Sequence, residues 1–500
     1  MNFFSTRNKA NKVSPSYAIA HGLAADGGLF VPESFPALTN EELIAMLDMS
    51  YAERSAYVMA KYLTDFTYEE LLDYTQKAYS RFDGDPAPVV MTDDDTFVLE
   101  LWHGPTSAFK DMALTVLPYL VTAAKKKLGD DKQSLVLVAT SGDTGKAAME
   151  GFKDVPGTRM VVFYPHGGVS AMQELQMRTQ EGTNIDVVSV HGNFDDCQTA
   201  VKEIFNDQSA VAELSSLGYE LSSANSINWG RLVPQIAYYV SAYVDLYGAG
   251  EIELGDKVNF CVPCGNFGNI LAAYYAKRMG VPVGRLICAS NKNNVLYQFI
   301  SSGVYSIDRA FYKTISPSMD ILVSSNLERL LFELCGRSDE AVRAKMDGLK
   351  QRGEYSLTRL ELDALKAEFS AYWCDDETTL DVIEETFDET GYVVDTHTAV
   401  ATYADMMAKQ DGTTDGPTVV VSTASPYKFT QDVLYALTGK KVKDPFKAAK
   451  MLETETAMEI PEQLETLKSK PILHSQEAQR GHLYEVVHGI LTVIAMAESK

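Results

Sequence analysis

The chain is poor in cysteine, histidine and positive charge, and each shortage removes a class of function. Six Cys in 500 residues cannot form the dense disulfide framework of a small secreted domain. Cys261 and Cys264 have CxxC spacing, but no second pair completes a zinc set, and Gly265-Asn266-Phe267-Gly268-Asn269 follows directly. They read as two reduced cysteines at a strand end. The eight His are scattered with no HxxxH or HExxH pair, so no metal site is expected. Lys and Arg number 44 against 68 Asp and Glu, a net charge of −24. Such a balance disfavours nucleic acid and anionic membranes as partners, and solubility accounts for the acidity. No apolar run approaches the roughly 20 residues of a membrane span. The first 25 residues lack Asp and Glu, but they also lack a hydrophobic signal core and carry few arginines. They are read as mature protein, and a cytoplasmic location is expected.

What is present suits a large α/β protein. With 46% apolar and 22% charged residues, the chain has material for two or three domains. Leu135 to Ala139, Met160 to Tyr164 and Ile185 to Val190 are short apolar runs, as in strands buried on both faces. Helical patterns separate them at Lys146 to Phe152 and Ser170 to Thr179, and Thr199 to Leu214 follows. The order implies right-handed crossovers and a parallel sheet. A second unit starts after Gly248-Ala249-Gly250. It has strands at Val258 to Val262, Leu286 to Ala289 and Thr418 to Val421, and a helix from Ile270 to Met279 closed by Gly280. The charged stretch from Leu327 to Thr386 reads as mostly helical, including Leu360 to Phe369.

Three segments carry candidate chemistry. His103-Gly104-Pro105-Thr106-Ser107-Ala108-Phe109-Lys110-Asp111 puts one lysine behind a Gly-Pro turn and an apolar pair. A partly desolvated lysine can be neutral and form a Schiff base with an aldehyde cofactor. Gly265 to Asn269 lies between a buried strand and a helix, where glycines admit an anion to free helix N–H groups. It is neither a Walker loop nor GxGxxG, and a plain structural turn is the competing reading. Ser141-Gly142-Asp143-Thr144-Gly145 holds the equivalent place in the other unit and could bind a carboxylate, or serve only as an N-cap. Both loops sit at strand carboxyl ends, where open α/β sheets bind ligands. Together with the lysine they suggest pyridoxal phosphate in a cleft.

The chain resembles the threonine synthases, pyridoxal-phosphate enzymes of the tryptophan-synthase β-like fold (fold type II), nearly end to end. Ser5-Thr6-Arg7 and Gly22 to Pro32 resemble the N-terminal block, and His103 to Asp111 the cofactor-lysine block. Ser141 to Gly145, Gly265 to Asn269, Ser318-Met319-Asp320-Ile321 with Ser325-Asn326, and Asp395 to Val400 follow in order. The resemblance implies two parallel-sheet α/β domains. It implies an N-terminal region at 1–95, and a cofactor domain from 96–130 and 251–445 with a helical insertion at about 327–390. A smaller domain with substrate loops would span 131–250, and 446–500 would be a C-terminal tail.

The resemblance also implies roles. Lys110 would hold pyridoxal 5'-phosphate and shuttle protons. Gly265, Asn266, Phe267, Gly268 and Asn269 would bind the cofactor phosphate, and Thr423 the pyridine nitrogen. Ser141, Asp143 and Thr144 would face the substrate carboxylate and the cofactor's phenolic side. Asn225, Ser226 and Arg231 would take the phosphate of O-phospho-L-homoserine; physically, Arg231 can fork onto a phosphate beside two small donors. The implied reaction gives L-threonine and phosphate. A phospho-lyase making 2-oxobutyrate, a serine/threonine ammonia-lyase, and a non-catalytic binding protein on the same scaffold are the alternatives. A monomer is preferred over a homodimer. Departures from the family pattern are Cys264, Ser425, Tyr427, Thr396 and Lys146.

Overall fold

In the computed structural model, which describes residues 1–93, 95–140 and 142–498 (side chains except at 143, 495, 497 and 498), every residue of Val258–Pro263 is buried. A run without alternation suits a strand covered on both faces, and this one lies inside a six-stranded sheet. Edge to edge the strands are Phe369–Trp373, Val283–Ser290, Val258–Pro263, Thr418–Ser422, Thr96–Glu100 and Val89–Asp93. All pairs are parallel except the last, which is a hairpin. A second, all-parallel sheet runs Gln476–Gln479, Ile185–His191, Thr158–Pro165, Gln133–Ala139, Tyr219–Ser222. A small antiparallel sheet joins Asn8–Val13, Phe3–Ser5 and Phe30–Pro32.

The helix Trp229–Ala249 lies in the main core, buried at nearly every position from Trp229 to Leu246. Hydrophobicity all round a helix marks it as a core element. At its first turn Trp229 packs against Phe3, Tyr62 and Tyr275, with ring centroids 5.0, 5.4 and 5.6 Å away. The N-terminal strand is thereby locked onto the helix that opens at Asn225–Arg231.

Three local expectations need correction. The stretch Thr199 to Leu214 is two helices, Phe194–Asn206 and Gln208–Ser216, because the Asp207 carboxylate accepts from the Ser209 and Ala210 amides and starts a new helix. Leu360 to Phe369 is helical only to Glu368; Phe369 opens the edge strand beside Val283–Ser290. The charged stretch from Leu327 to Thr386 therefore contributes to the large sheet as well as covering it. Residues 446–500, read as a tail, hold the helix Pro445–Thr456, the edge strand Gln476–Gln479 and the helix Leu483–Glu498, whose Leu483, Val487 and Leu491 are buried against the smaller sheet.

Candidate active site

Loops at the carboxyl ends of the two sheets enclose a cavity of about 1180 Å³. Lys110, Thr144, Asn225, Ser226, Arg231, Thr423 and all of Gly265 to Asn269 line it. The sequence candidates therefore converge, although they come from distant parts of the chain. Ser141 lies outside the described residues, as does the side chain of Asp143.

Lys110 is placed by a turn stitched to a neighbouring loop. The Phe109 amide donates to the Thr423 carbonyl at 2.9 Å, the Ser425 amide donates to the Ser107 carbonyl at 3.1 Å, and Ala108 bridges Ala424. Ser107 takes a left-handed φ of 57°. Inside the turn, buried Asp111 accepts from the Thr106 amide and hydroxyl, both at 2.7 Å. Burial pushes its carboxyl up to about 6, against the lowering effect of the Thr106 bonds and the Lys428 charge. The Lys110 ammonium lies 5.0 Å from the Phe109 ring centroid, and Nζ is 3.5 Å from Ser318 Oγ.

The glycine loop leads into the helix Gly268–Met279, which has no side-chain cap at its N-terminus. Phe267 precedes it in left-handed conformation, φ 63°. A Cβ on Gly265 would lie 2.6 Å from the Ser318 carbonyl oxygen, so the backbones meet only because no side chain intervenes. The loop is braced from outside: Ser324 Oγ donates to the Gly265 carbonyl at 2.7 Å, and the Asn326 amide to the Asn266 carbonyl at 3.0 Å. Asn269 accepts from the Tyr238 and Tyr239 hydroxyls, while its buried Nδ2 has no partner among the described residues. Uncapped helix amides and an orphaned donor suit a phosphate.

Arg231 is buried, with 5% exposure. Nη1 donates to the Ala224 carbonyl at 2.9 Å, and among the described residues Nε has no partner and no carboxylate pairs with the guanidinium. Burial alone pushes the guanidinium down to about 10. A buried cation without an acidic partner is poised for an anion.

Several contributors were not singled out as site residues. Thr140 lines the cavity, and its Oγ accepts from the Gly142 and Gly145 amides at 3.0 Å each, shaping the loop between. His397 also lines it, holding Asp395 through Nδ1 at 2.8 Å and accepting the Ser318 amide at Nε2, 3.1 Å. With both nitrogens engaged, it positions the Ser318 backbone. Arg329 donates to the Phe30 carbonyl at 2.9 Å, to Asn326 Oδ1 and to the Ile227 carbonyl at 2.6 Å. Glu328 accepts from Thr6 at 2.6 Å and from Arg7 at 2.9 and 2.7 Å. The N-terminal block is thus a brace for the loops that carry Asn326 and Arg231.

Models of the threonine synthase N terminus, of pyridoxal-phosphate dependent enzymes and of the threonine synthase C-terminal region match residues 2–79, 92–425 and 398–472. The threonine synthase of Pseudomonas aeruginosa is 38% identical over 91% of this chain and 94% of its own length. A pyridoxal-phosphate-bound threonine synthase structure from Brucella melitensis has TM-score 0.87 at 37% identity, covering 98% of each chain. The chain belongs to the threonine synthase family. It is also 39% identical to threonine synthase-like 1 of Macaca fascicularis over 88% of this chain, but spans only 61% of that relative's length.

Within the threonine synthase family pattern, the departures bear on packing more than on the cavity. Cys264 lines the cavity, but its thiol donates to the Val262 carbonyl at 3.1 Å, and burial raises its pKa well above the usual thiol range. Lys146 bonds Glu150 at 2.9 Å and also Gln180. Burial lowers its pKa. Ser425 caps the turn Pro426–Phe429 and accepts from the Tyr427 amide at 3.3 Å, while Tyr427 packs among the aliphatic residues of the C-terminal helices. Thr396 Oγ1 donates to the Ile315 carbonyl at 2.8 Å.

Proposed function

We propose that this chain is a threonine synthase converting O-phospho-L-homoserine and water to L-threonine and phosphate. The observation that carries the reading is Arg231, buried and without a described carboxylate partner, in the same cavity as Lys110 and the uncapped Gly268–Met279 helix. The cavity thus offers two separate anion sites, one for a cofactor phosphate and one for a substrate phosphate.

When held at Lys110, pyridoxal phosphate would supply the electron sink that a carbanion at the substrate needs. The amides of Gly265 through Asn269 and the Asn269 Nδ2 would hold its phosphate. Thr423, in the cavity lining, would meet the ring nitrogen, and its neutral hydroxyl would suit an unprotonated ring. Arg231 takes the substrate phosphate, with Asn225 and Ser226 donating beside it, and so aligns the leaving group. Thr144, in the cavity lining, would face the substrate carboxylate, a role the family resemblance extends to Ser141 and Asp143. Lys110 Nζ would take the substrate's α-proton and return protons in the later steps. Ser318 Oγ, 3.5 Å from that nitrogen, orients it.

On the same reading the six-stranded sheet carries the cofactor and the smaller sheet the substrate loops. We also infer a cytoplasmic protein whose six cysteines, all free, stay reduced, with a monomer preferred over a homodimer. The test is product analysis from O-phospho-L-homoserine with Lys110→Ala as control. Equal threonine and phosphate, lost in the variant, are expected. Phosphate with 2-oxobutyrate instead would overturn the assignment in favour of a phospho-lyase.

A further inference from the structure

Three neighbouring parallel strands of the smaller sheet bring together side chains that lie far apart in sequence. His166 follows Thr158–Pro165, His191 ends Ile185–His191, and Glu477 lies in the edge strand Gln476–Gln479. One ring nitrogen from each His and one Glu477 carboxylate oxygen lie within 4.8 Å of one another, all at the surface. His191 Nε2 is 2.8 Å from Glu477 Oε2, and the two imidazoles have centroids 4.7 Å apart, tilted by 33°. None of the three lines the active cavity.

The surroundings suit ligation. His166 is fixed by its own amide, which donates to the Val190 carbonyl at 2.8 Å. Its Nδ1 lies 3.0 Å from Ser189 Oγ; with the proton on Nδ1 donated to that hydroxyl, Nε2 keeps its lone pair for a metal, the role that outer-shell partners play for metal-bound histidines.

We propose that His166, His191 and Glu477 form a surface site for a divalent transition-metal ion of the zinc class, with solvent completing the coordination. Imidazole and carboxylate ligands suit zinc, and bonds of about 2.1 Å set tetrahedral ligand atoms roughly 3.3 Å apart. Side-chain rotation closes the remaining gap. The ion ties a four-residue edge strand, and through it the helix Leu483–Glu498, to the body of the sheet. Its role is to fasten the C-terminal segment.

The test uses tag-free, chelator-treated full-length holoenzyme titrated with zinc chloride by calorimetry and thermal melting. The wild type is expected to bind one zinc that is lost in His166→Ala/His191→Ala, to melt at a higher temperature with zinc, and to resist proteolysis between residues 470 and 482 only when zinc is bound. Glu477→Gln, which keeps the shape of the side chain, is expected to weaken the same site, and it carries the test if the double variant fails to fold. Absence of zinc binding by the wild type would overturn the proposal. So would equal binding and equal melting shifts in wild type and variants, which would mean that other groups, such as the cysteines, take the metal.

Discussion

Replacing Arg231 with Met separates the stability of the fold from its function. Burial lowers the guanidinium from its ordinary value to about 10. The folded state then binds that proton less tightly than the unfolded chain. The resulting cost, about 3 kcal/mol, is fully present below about pH 10 and fades only as the pH rises toward the unfolded value. Met removes the charge but also the bond to the Ala224 carbonyl, worth about 1.5 kcal/mol with its charged donor. The net expectation for Arg231→Met is a stabilisation of about 1–2 kcal/mol, or a rise in melting temperature of roughly 1–2 °C for a chain of this length. Loss of a buried charge contact of about 2–5 kcal/mol lowers kcat/KM by roughly 30- to several-thousand-fold. Inorganic phosphate at ten times its Kd should stabilise the wild-type holoenzyme by about 1.4 kcal/mol and the variant not at all. Urea unfolding of both proteins, with and without phosphate, reads all of this except turnover. A variant less stable than wild type, together with equal phosphate stabilisation of both, would refute the claim that Arg231 is an anion site held ready at a cost.

Other expectations follow from the same geometry. Gly265→Ala drives a Cβ to 2.6 Å from the Ser318 carbonyl oxygen. The resulting strain of about 1–3 kcal/mol should weaken pyridoxal-phosphate binding roughly 5- to 100-fold in an absorbance titration. Asp111→Asn should flatten the dependence of the urea midpoint on pH between about 4 and 6. There the raised folded-state pKa makes the wild type most stable below the unfolded value near 3.8 and progressively less so as pH rises through about 6. His397→Gln should lower kcat by loosening Ser318 while leaving both limbs of the pH–rate profile in place, because neither ring nitrogen is free to exchange a proton with substrate. Disappearance of one limb would make His397 a proton carrier instead.

The parts of the site that were legible in the sequence are those whose chemistry is local. A buried strand, a glycine loop and a helix start are consecutive at Val258–Met279, so both the turn and its anion-binding role can be read there. The Gly-Pro turn before Lys110 is legible for the same reason. Ser318 and His397 come from separate segments, and only folding brings them to Lys110. Thr140 lies at the end of an apolar strand, and nothing in its neighbours shows that its hydroxyl organises the next loop. Edge strands were the least legible elements of the fold. Phe369–Trp373 follows a helix without a turn signal, and Gln476–Gln479 is polar at three of four positions, so neither has the apolar pattern of a buried strand. The cluster of His166, His191 and Glu477 has no sequence spacing at all, because sheet order creates it.

The most direct test of the central claim is to run the reaction of O-phospho-L-homoserine in heavy-oxygen water and locate the label by mass spectrometry. A threonine synthase adds solvent oxygen at the β-carbon, so the account predicts threonine labelled once, in its hydroxyl, with phosphate released in equal amount. Labelled 2-oxobutyrate, or phosphate without threonine, would contradict it and show that elimination in this cavity ends without the return of water.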